Sequence, residues 1–230
     1  KTKINKNNIR LSEKVRISYK KKISKEIMNA FNIAIKNIMK FHKNQLPADY
    51  MISNKGVKTG LNWNPIQSVG LYIPGGKAVY PSSLLMNVIP ALVAGVKRIV
   101  VVTPAKIGEI NPYILALLDK LGIKEIYQVG GAHAIAALAY GTKSIKPVDK
   151  IFGPGNAYVA SAKKQVYGKV GIDLIAGPSE IVVVADKKNN PYWVAADLIA
   201  QAEHDEKAQS ILITNNEYFS KSVLNAINYL

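Results

Sequence analysis

Short apolar runs alternate with amphipathic segments through the middle of the chain. The runs are rich in Val and Ile, which favours strands, whereas the segments between them repeat apolar residues every three or four positions, which favours helices. The pattern predicts a strand that begins at Val69, further strands at 98–102, 125–129, 150–152 and 171–174, and helices at 82–94, 112–121, 132–140 and 156–167. Strands that alternate with helices need crossover connections. We therefore predict an α/β fold with a largely parallel, Rossmann-like sheet covered on both faces.

Similar patterns continue on both sides of this central region. Toward the amino terminus, Ile27, Phe31 and Ile35 recur at helical spacing, and residues 51–61, which include two glycines, indicate a hairpin. Toward the carboxyl terminus the pattern predicts a strand at 181–185, a helix at 191–204, a strand at 211–214 and a helix at 217–229. We therefore predict two lobes, of which 69–178 form a complete one, while 1–68 and 179–230 belong to a second, incomplete one.

Composition narrows the class of protein. The chain has 230 residues, 48% of them hydrophobic, which is enough for a substantial core. It has no cysteine, so a disulfide framework, a thiolate metal cluster and a thiol nucleophile are all excluded. No apolar run approaches the roughly 18 residues of a membrane span, and the basic amino terminus does not resemble a signal peptide. We expect a cytoplasmic protein without a membrane partner.

The formal net charge of +16 raises the question of nucleic-acid binding. Residues 1–60 hold 15 Lys and Arg but only 3 Asp and Glu, so most of the excess lies there. These residues are mainly lysines interleaved with Asn and Ile, and no binding motif or aromatic stacking surface accompanies them. We do not expect specific nucleic-acid binding. Salt-sensitive association with polyanions, as in a basic interaction protein, is kept as an alternative function.

Glycine-rich loops follow several of the predicted strands. Tyr72 precedes a Pro-Gly-Gly turn, Gly130 and Gly131 follow another strand, and a third loop, Gly-Pro-Gly-Asn, ends at Asn156. Two of these loops open helices, whose first amides can receive an anion. An ordinary turn is the simpler explanation of each loop taken alone, because neither the dinucleotide fingerprint nor the P-loop pattern is complete. By themselves, the loops indicate only a candidate nucleotide site.

The helix at 191–204 ends with two potential metal ligands. Gln201 and His204 lie three residues apart and therefore share one helix face, below a turn that presents Ser179. Taken alone, His204 is explained by the helix dipole. Its context, AGPSE, a valine-rich strand, VAADL and QAEH, resembles the zinc-binding region of the histidinol dehydrogenase family. GLYIPGG, PSSLLM, VGGAHAIAALAYGT and VDKIFGPGNAYV strengthen the resemblance, which extends from about residue 69 to 214.

The resemblance implies an activity and a set of site residues. The family oxidises L-histidinol twice with NAD and so completes histidine biosynthesis, using a zinc ion, as a homodimer of aldehyde-dehydrogenase-like architecture. Gln201 and His204 match two zinc ligands that also contact the substrate, and Ser179 matches its substrate-binding serine. Tyr72, His133 and Asn156 match NAD-contacting positions. The family has glutamine at the position of His133, and an imidazole offers a different reach and donor pattern.

The resemblance also implies residues that the 230 positions do not contain. The family's adjacent Glu and His, which transfer protons, and two further zinc ligands, an Asp and a His, would lie beyond Leu230. Glu203 beside His204 is expected to be an ordinary helix carboxylate, so no catalytic residue is assigned. We expect little turnover from the chain alone. The alternatives are a non-catalytic nucleotide-binding remnant and one half of a split enzyme.

Overall fold

The computed structural model describes residues 9–20, 23–75, 80–105, 110–175, 177, 179–203 and 208–230. Contacts between Cα atoms divide the chain into two compact units, Lys1–Ile175 and Ala176–Leu230, and each is described by itself. None of the helices in the described ranges has the length and hydropathy of a membrane span.

The first unit contains six helices and seven strands within the described residues. They are, in chain order, α1 Glu13–Lys20, α2 Lys25–Lys43, β1 Tyr50–Asn54, β2 Val57–Leu61, β3 Ser68–Tyr72, α3 Pro81–Val93, β4 Arg98–Val102, α4 Pro112–Lys120, β5 Glu125–Tyr127, α5 Gly131–Tyr140, β6 Lys150–Phe152, α6 Ala157–Val166 and β7 Gly171–Ile172. The predicted alternation of strands and helices is confirmed. Two strands are shorter than predicted: β5 ends before the turn at Gly130, and β7 ends where Asp173 begins a loop.

Five parallel strands form the sheet, in the order β5-β4-β3-β6-β7. Leu71 of β3 pairs with Val101 on one side and with Phe152 of β6 on the other. From β3 the chain first builds outward through β4 and β5, then returns to add β6 and β7 on the opposite side. The direction in which successive strands are added therefore reverses between β3 and β6, as in Rossmann folds. The predicted parallel α/β fold is confirmed.

Side-chain alternation along the buried strands supplies a core on each face of the sheet. Val101 faces a cluster that includes Leu84 of α3 and Leu117 of α4, whereas Val100 belongs to a cluster with Leu138 of α5 on the other face. Parallel strands buried on both faces have nearly continuous apolar sequences, because no position meets water. The two layers of helices hold the carboxyl ends of the strands in fixed positions.

The amino-terminal helices pack against this unit. Ser24 caps α2, because its Oγ accepts a hydrogen bond from the backbone N of Ile27 at 3.3 Å. Phe31 and Ile35, two residues of the predicted apolar stripe, pack against the core formed with α3 and α4. This contact was not part of the prediction that residues 1–68 belong to a second lobe. The assignment to a second lobe stays a prediction.

The predicted hairpin is present as β1 and β2. The strands are antiparallel and are joined by Lys55 and Gly56, whose φ angles of 47° and 84° are those of a type I′ turn, the tight turn that suits strand twist. Every residue of both strands is exposed.

The second unit repeats the strand-helix pattern in a smaller form. Its elements are β8 Glu180–Val184, α7 Pro191–Ala202, β9 Gln209–Ile213 and α8 Glu217–Tyr229. The two strands are parallel and pair in register, with Val182 opposite Ile211. Ile181, Val183 and Leu212 face a core formed by α7 and α8, whereas the alternate residues are exposed. The predicted helix at 191–204 ends at Ala202 in the structure.

Candidate functional site

A crevice is expected where the strand order reverses, between β3 and β6, because the loops after these two strands leave the sheet on opposite sides. Gly153 is the first residue after β6 and has a φ of 111°, a conformation that favours glycine. A Cβ at this position would lie 2.1 Å from the carbonyl oxygen of Tyr72, the last residue of β3. The two strand ends therefore meet backbone to backbone, with no room for a side chain.

Tyr72 connects β3 to the start of α5. Its side chain is buried, and its hydroxyl oxygen accepts a hydrogen bond from the backbone N of Gly131 at 3.2 Å. Gly131 is the first residue of α5, and His133 stands in the same first turn with an exposed side chain. Tyr72 and His133, both predicted to contact NAD, are therefore brought to one helix start.

Asn156 caps the next helix. Its Oδ1 accepts from the backbone N of Val159 at 3.1 Å, which satisfies one of the amides that begin α6. The rest of the Asn156 side chain is exposed. The start of α6 follows β6 and the start of α5 follows β5, so both helices begin at the carboxyl edge of the sheet, where their dipoles favour an anion.

The loops after β3, β4 and β5 are in contact at Pro104. A Cβ added to Gly75 would lie 2.5 Å from the carbonyl oxygen of Pro104, and one added to Gly130 would lie 2.6 Å from the Cβ of Pro104. Glycine is therefore required in both loops for close packing. Both glycines were predicted as turn residues, whereas their contact with Pro104 was not predicted from the sequence.

A buried ion pair lies behind the crevice and was not anticipated from the sequence. Lys163 of α6 forms an ion pair with Asp173, and its Nζ also donates to the carbonyl oxygen of Gly153 at 3.1 Å. Asp173 in turn accepts from the backbone N of Gly153 at 2.8 Å. One sequence signal could have shown the lysine: it shares the inward face of α6 with Val159 and Val166, where a charge is unexpected.

The second unit brings together two of the residues predicted to bind substrate. The Nε2 of Gln201 donates to the carbonyl oxygen of Ser179 at 3.2 Å. This bond uses the amide nitrogen and not the amide oxygen of Gln201, which is the atom that can ligate a metal. His204 lies outside the described residues. Within the ranges that the structure describes, no three His, Cys, Asp or Glu side chains form a metal-binding group, so those residues alone do not make a zinc site.

The charged pair Arg98–Glu125 lies at the opposite, amino edge of the sheet. Nε and Nη2 of Arg98 donate to the two carboxylate oxygens at 2.9 and 3.0 Å. The hydrogen bonds from Arg98 lower the pKa of Glu125, and the same bonds raise the pKa of Arg98. Burial raises the pKa of Tyr127. These groups fix the strand starts and are separate from the crevice.

A cavity of about 710 Å³ opens elsewhere in the first unit. Its lining is mostly apolar and includes Trp63, Met86 and Pro90. Its one carboxylate, Asp49, accepts hydrogen bonds from the side chain of Asn62 and the backbone N of Trp63, both at 2.7 Å. The described lining of the cavity therefore offers mainly apolar contacts, and the crevice, with its helix starts and glycine loops, is the better candidate site.

The strand order, which reverses between β3 and β6, defines a Rossmann-like α/β protein with glycine loops at the point of reversal. The sequence model described as Histidinol dehydrogenase matches residues 1–230. The chain belongs to the histidinol dehydrogenase family, as its motifs predicted.

Individual relatives agree with this assignment. Histidinol dehydrogenase 1 of Trichormus variabilis is 57% identical over 210 residues, which are 91% of this chain and 49% of that protein. The histidinol dehydrogenase of Brucella suis is 59% identical over 201 residues, 87% of this chain and 47% of that protein. The chain therefore spans about half the length of the curated relatives it matches.

Solved structures support the same fold. The crystal structure of histidinol dehydrogenase from Elizabethkingia anophelis is similar with a TM-score of 0.91 at 43% identity, over 96% of this chain and 52% of that one. A propionaldehyde dehydrogenase from Clostridium phytofermentans has a TM-score of 0.54 at 17% identity, over 81% of this chain and 43% of that one, and this likeness concerns the fold alone. The predicted aldehyde-dehydrogenase-like architecture is consistent with both.

Proposed function

We propose that the chain serves the NAD-linked oxidation of L-histidinol to L-histidine, the last step of histidine biosynthesis, in the cytoplasm. The observation that carries the proposal is the family match over all 230 residues, and it is supported by the reversal of strand order between β3 and β6, the place where Rossmann folds bind ligands. Within this activity the first unit would hold NAD, and residues of the second unit would contact substrate and metal.

The proposed NAD site uses backbone groups more than side chains. The starts of α5 and α6 at the carboxyl edge would attract the pyrophosphate, and it could approach the backbone at Gly131, where an added Cβ would meet no atom within 4 Å. Tyr72 shapes the site from β3 through its bond to Gly131. The exposed side chains of His133 and Asn156 flank it. His133 would contact the cofactor with an imidazole in place of the family's glutamine.

The proposed substrate and metal site uses Ser179, Gln201 and His204. The hydrogen bond between Gln201 and Ser179 uses the amide nitrogen, so the amide oxygen would be left for a ligand. When bound, zinc would supply a Lewis acid and NAD would accept hydride. Since the described residues alone do not form a zinc site, zinc binding through Gln201 and His204 rests on the family resemblance.

A polypeptide of these 230 residues is proposed to turn over L-histidinol slowly when studied by itself. The resemblance assigns two zinc ligands within it and no residue for proton transfer, and the lack of a positioned general base costs about 10²- to 10⁴-fold in rate. Association as a homodimer is proposed from the family as well. The alternative, a nucleotide-binding protein without catalysis, is favoured by the complete five-stranded unit.

Calorimetric titration with NAD tests the cofactor site, with Asn156→Asp as the informative variant. The carboxylate would still cap α6, but its charge would repel the phosphates, so NAD affinity should fall about 10-fold or more. Asn216→Asp is the matched control, because Asn216 caps α8 in the same way, accepting from the backbone N of Phe219 at 2.8 Å. Failure of the unaltered chain to bind NAD would contradict the proposal.

Addition of zinc and L-histidinol then separates the two candidate functions. Reduction of NAD that increases when the remaining half of a family member is supplied as a separate polypeptide would support the dehydrogenase. Saturable NAD and ADP binding with no reduction under either condition would support the nucleotide-binding alternative.

A further inference from the structure

Helix α6 carries a charged residue on its buried face. Its inward positions are Val159, Lys163 and Val166, and Lys163 is only 2% exposed. An ammonium group taken out of water is costly unless it is paired and hydrogen-bonded. The position of Lys163 therefore depends on specific partners.

The partners of Lys163 converge on one peptide. Lys163 forms the ion pair with Asp173, which follows β7, and also donates to the carbonyl oxygen of Gly153 at 3.1 Å. The carboxylate of Asp173 accepts from the backbone N of Gly153 at 2.8 Å. Both polar groups of Gly153, its N–H and its carbonyl, are thus bonded to one member of the pair each.

Gly153, which is held by these bonds, is the first residue of the loop 153–156 at the crevice. Gly153 leads directly into the loop that ends at Asn156, the cap of α6, and it lies against the backbone of Tyr72. We propose that Lys163, acting through Asp173 and the backbone of Gly153, is a positioning residue that holds the loop 153–156 in its cofactor-binding conformation. This inference rests on the proposed function, since it assigns the loop to NAD.

Stability alone does not account for the pair. A buried ion pair is often no more stabilising than two apolar side chains of similar size. Apolar side chains, however, cannot bond the N–H and carbonyl of Gly153, whereas an ammonium and a carboxylate satisfy both. The lysine and aspartate therefore provide what the loop backbone needs.

Two variants separate positioning from stability. Lys163→Met leaves Asp173 unpaired, so it should lower the melting temperature and loosen the loop. The double variant Lys163→Met with Asp173→Leu removes both charges and should recover most of the melting temperature, yet the loop stays without its partners. In both variants we expect backbone amide exchange in residues 150–160 to be about 10-fold faster. NAD affinity should fall as well, by about 10-fold where the variant leaves only about a tenth of the molecules with the loop in place, because affinity scales with the fraction of competent conformer.

Arg98→Met is the matched control in the full 230-residue chain. Arg98 also bonds one carboxylate, that of Glu125, and backbone carbonyls, those of Lys146 and Pro147, but it does so at the amino edge of the sheet. This variant should lower the melting temperature without changing exchange in residues 150–160 or NAD affinity.

Two outcomes would overturn the proposal. One is unchanged exchange in residues 150–160 when Lys163 is replaced, and the other is recovery of normal exchange and NAD affinity together with the melting temperature in the double variant. If the unaltered chain does not bind NAD, the proposed function fails and the cofactor role of the loop fails with it. The exchange measurement still decides whether Lys163 holds the loop.

Discussion

Gly153 shows how the absence of a side chain shapes the crevice. Alanine at this position would combine a left-handed backbone with a contact of 2.1 Å to Tyr72, so Gly153→Ala should cost roughly 3 kcal/mol or more of the free energy of unfolding. Gly168 is the control, because it has a φ of 95° and no atom within 4 Å of an added Cβ. Gly168→Ala should cost only about 1–2 kcal/mol. Equal costs in urea unfolding would show that the contact with Tyr72 is unimportant.

Glu125 links stability to pH at the other edge of the sheet. Because Arg98 lowers the pKa of Glu125 in the folded chain, the stabilisation is complete above the pKa of an unfolded glutamate, about 4.3, and is lost as pH falls through the lower folded value. Glu125→Gln should therefore reduce stability at neutral pH, by up to about 1 kcal/mol, and weaken its acid dependence.

The exposed pair Lys221–Glu217 provides the control for this pH effect. Its side chains are 67% and 79% exposed. At each pH between about 3 and 7, Glu217→Gln should therefore have nearly the same free energy of unfolding as the unaltered chain. Urea unfolding over this range compares the two variants. An acid dependence that is the same in Glu125→Gln as in the unaltered chain would contradict the assignment.

At the scale of single residues, the sequence predicted exposed candidates better than buried ones. Gln201 and Ser179 were assigned to one site from the family resemblance; the structure joins them by a hydrogen bond, and their role in binding substrate stays a prediction. Lys163 and Asp173 were not found, because they are brought together by the packing of α6 against the strand ends. The two residues lie ten positions apart, and no sequence motif links them.

Strand β8 illustrates what alternation means at the scale of an element. Val183 faces the core under α7 and α8, whereas Val184, the next residue, is 77% exposed. Val184→Lys should change stability by less than about 0.5 kcal/mol, and Val183→Lys should cost about 3 kcal/mol or more, because it buries an unpaired charge. Urea unfolding measures both. Similar costs would mean that β8 does not have one covered and one exposed face.

The exposed face of β8 and β9 also bears on solubility. Val182, Ile211 and Ile213 accompany Val184 as exposed apolar side chains on these strands. Contiguous apolar surface promotes association. Val184→Lys should therefore reduce self-association in light scattering, an effect that distinguishes this face from a neutral surface.

Element types were predictable because their signals are local. The spacing of apolar residues in α2 and the strand runs of β4 and β6 gave these elements within a few residues. The order of strands was not predictable in the same way, because β3 pairs with β4 and also with β6, far along the chain. No periodicity encodes which strands become neighbours.

At the scale of the whole molecule, the two units differ in how fully they are built. Lys1–Ile175 has a five-stranded sheet with cores on both faces, whereas the described part of Ala176–Leu230 has two strands with helices on one face. All residues proposed to bind NAD lie in the first unit, so the proposed cofactor binding is a property of that unit.

The contact at Pro104 has a mechanical consequence for the crevice. Gly75 and Gly130 press against the same proline with no side chain between them, so none of these three residues can shift toward the others. A ligand that pushes one loop must move its neighbours too. Gly75, Pro104 and Gly130 would then move together when a ligand enters the crevice.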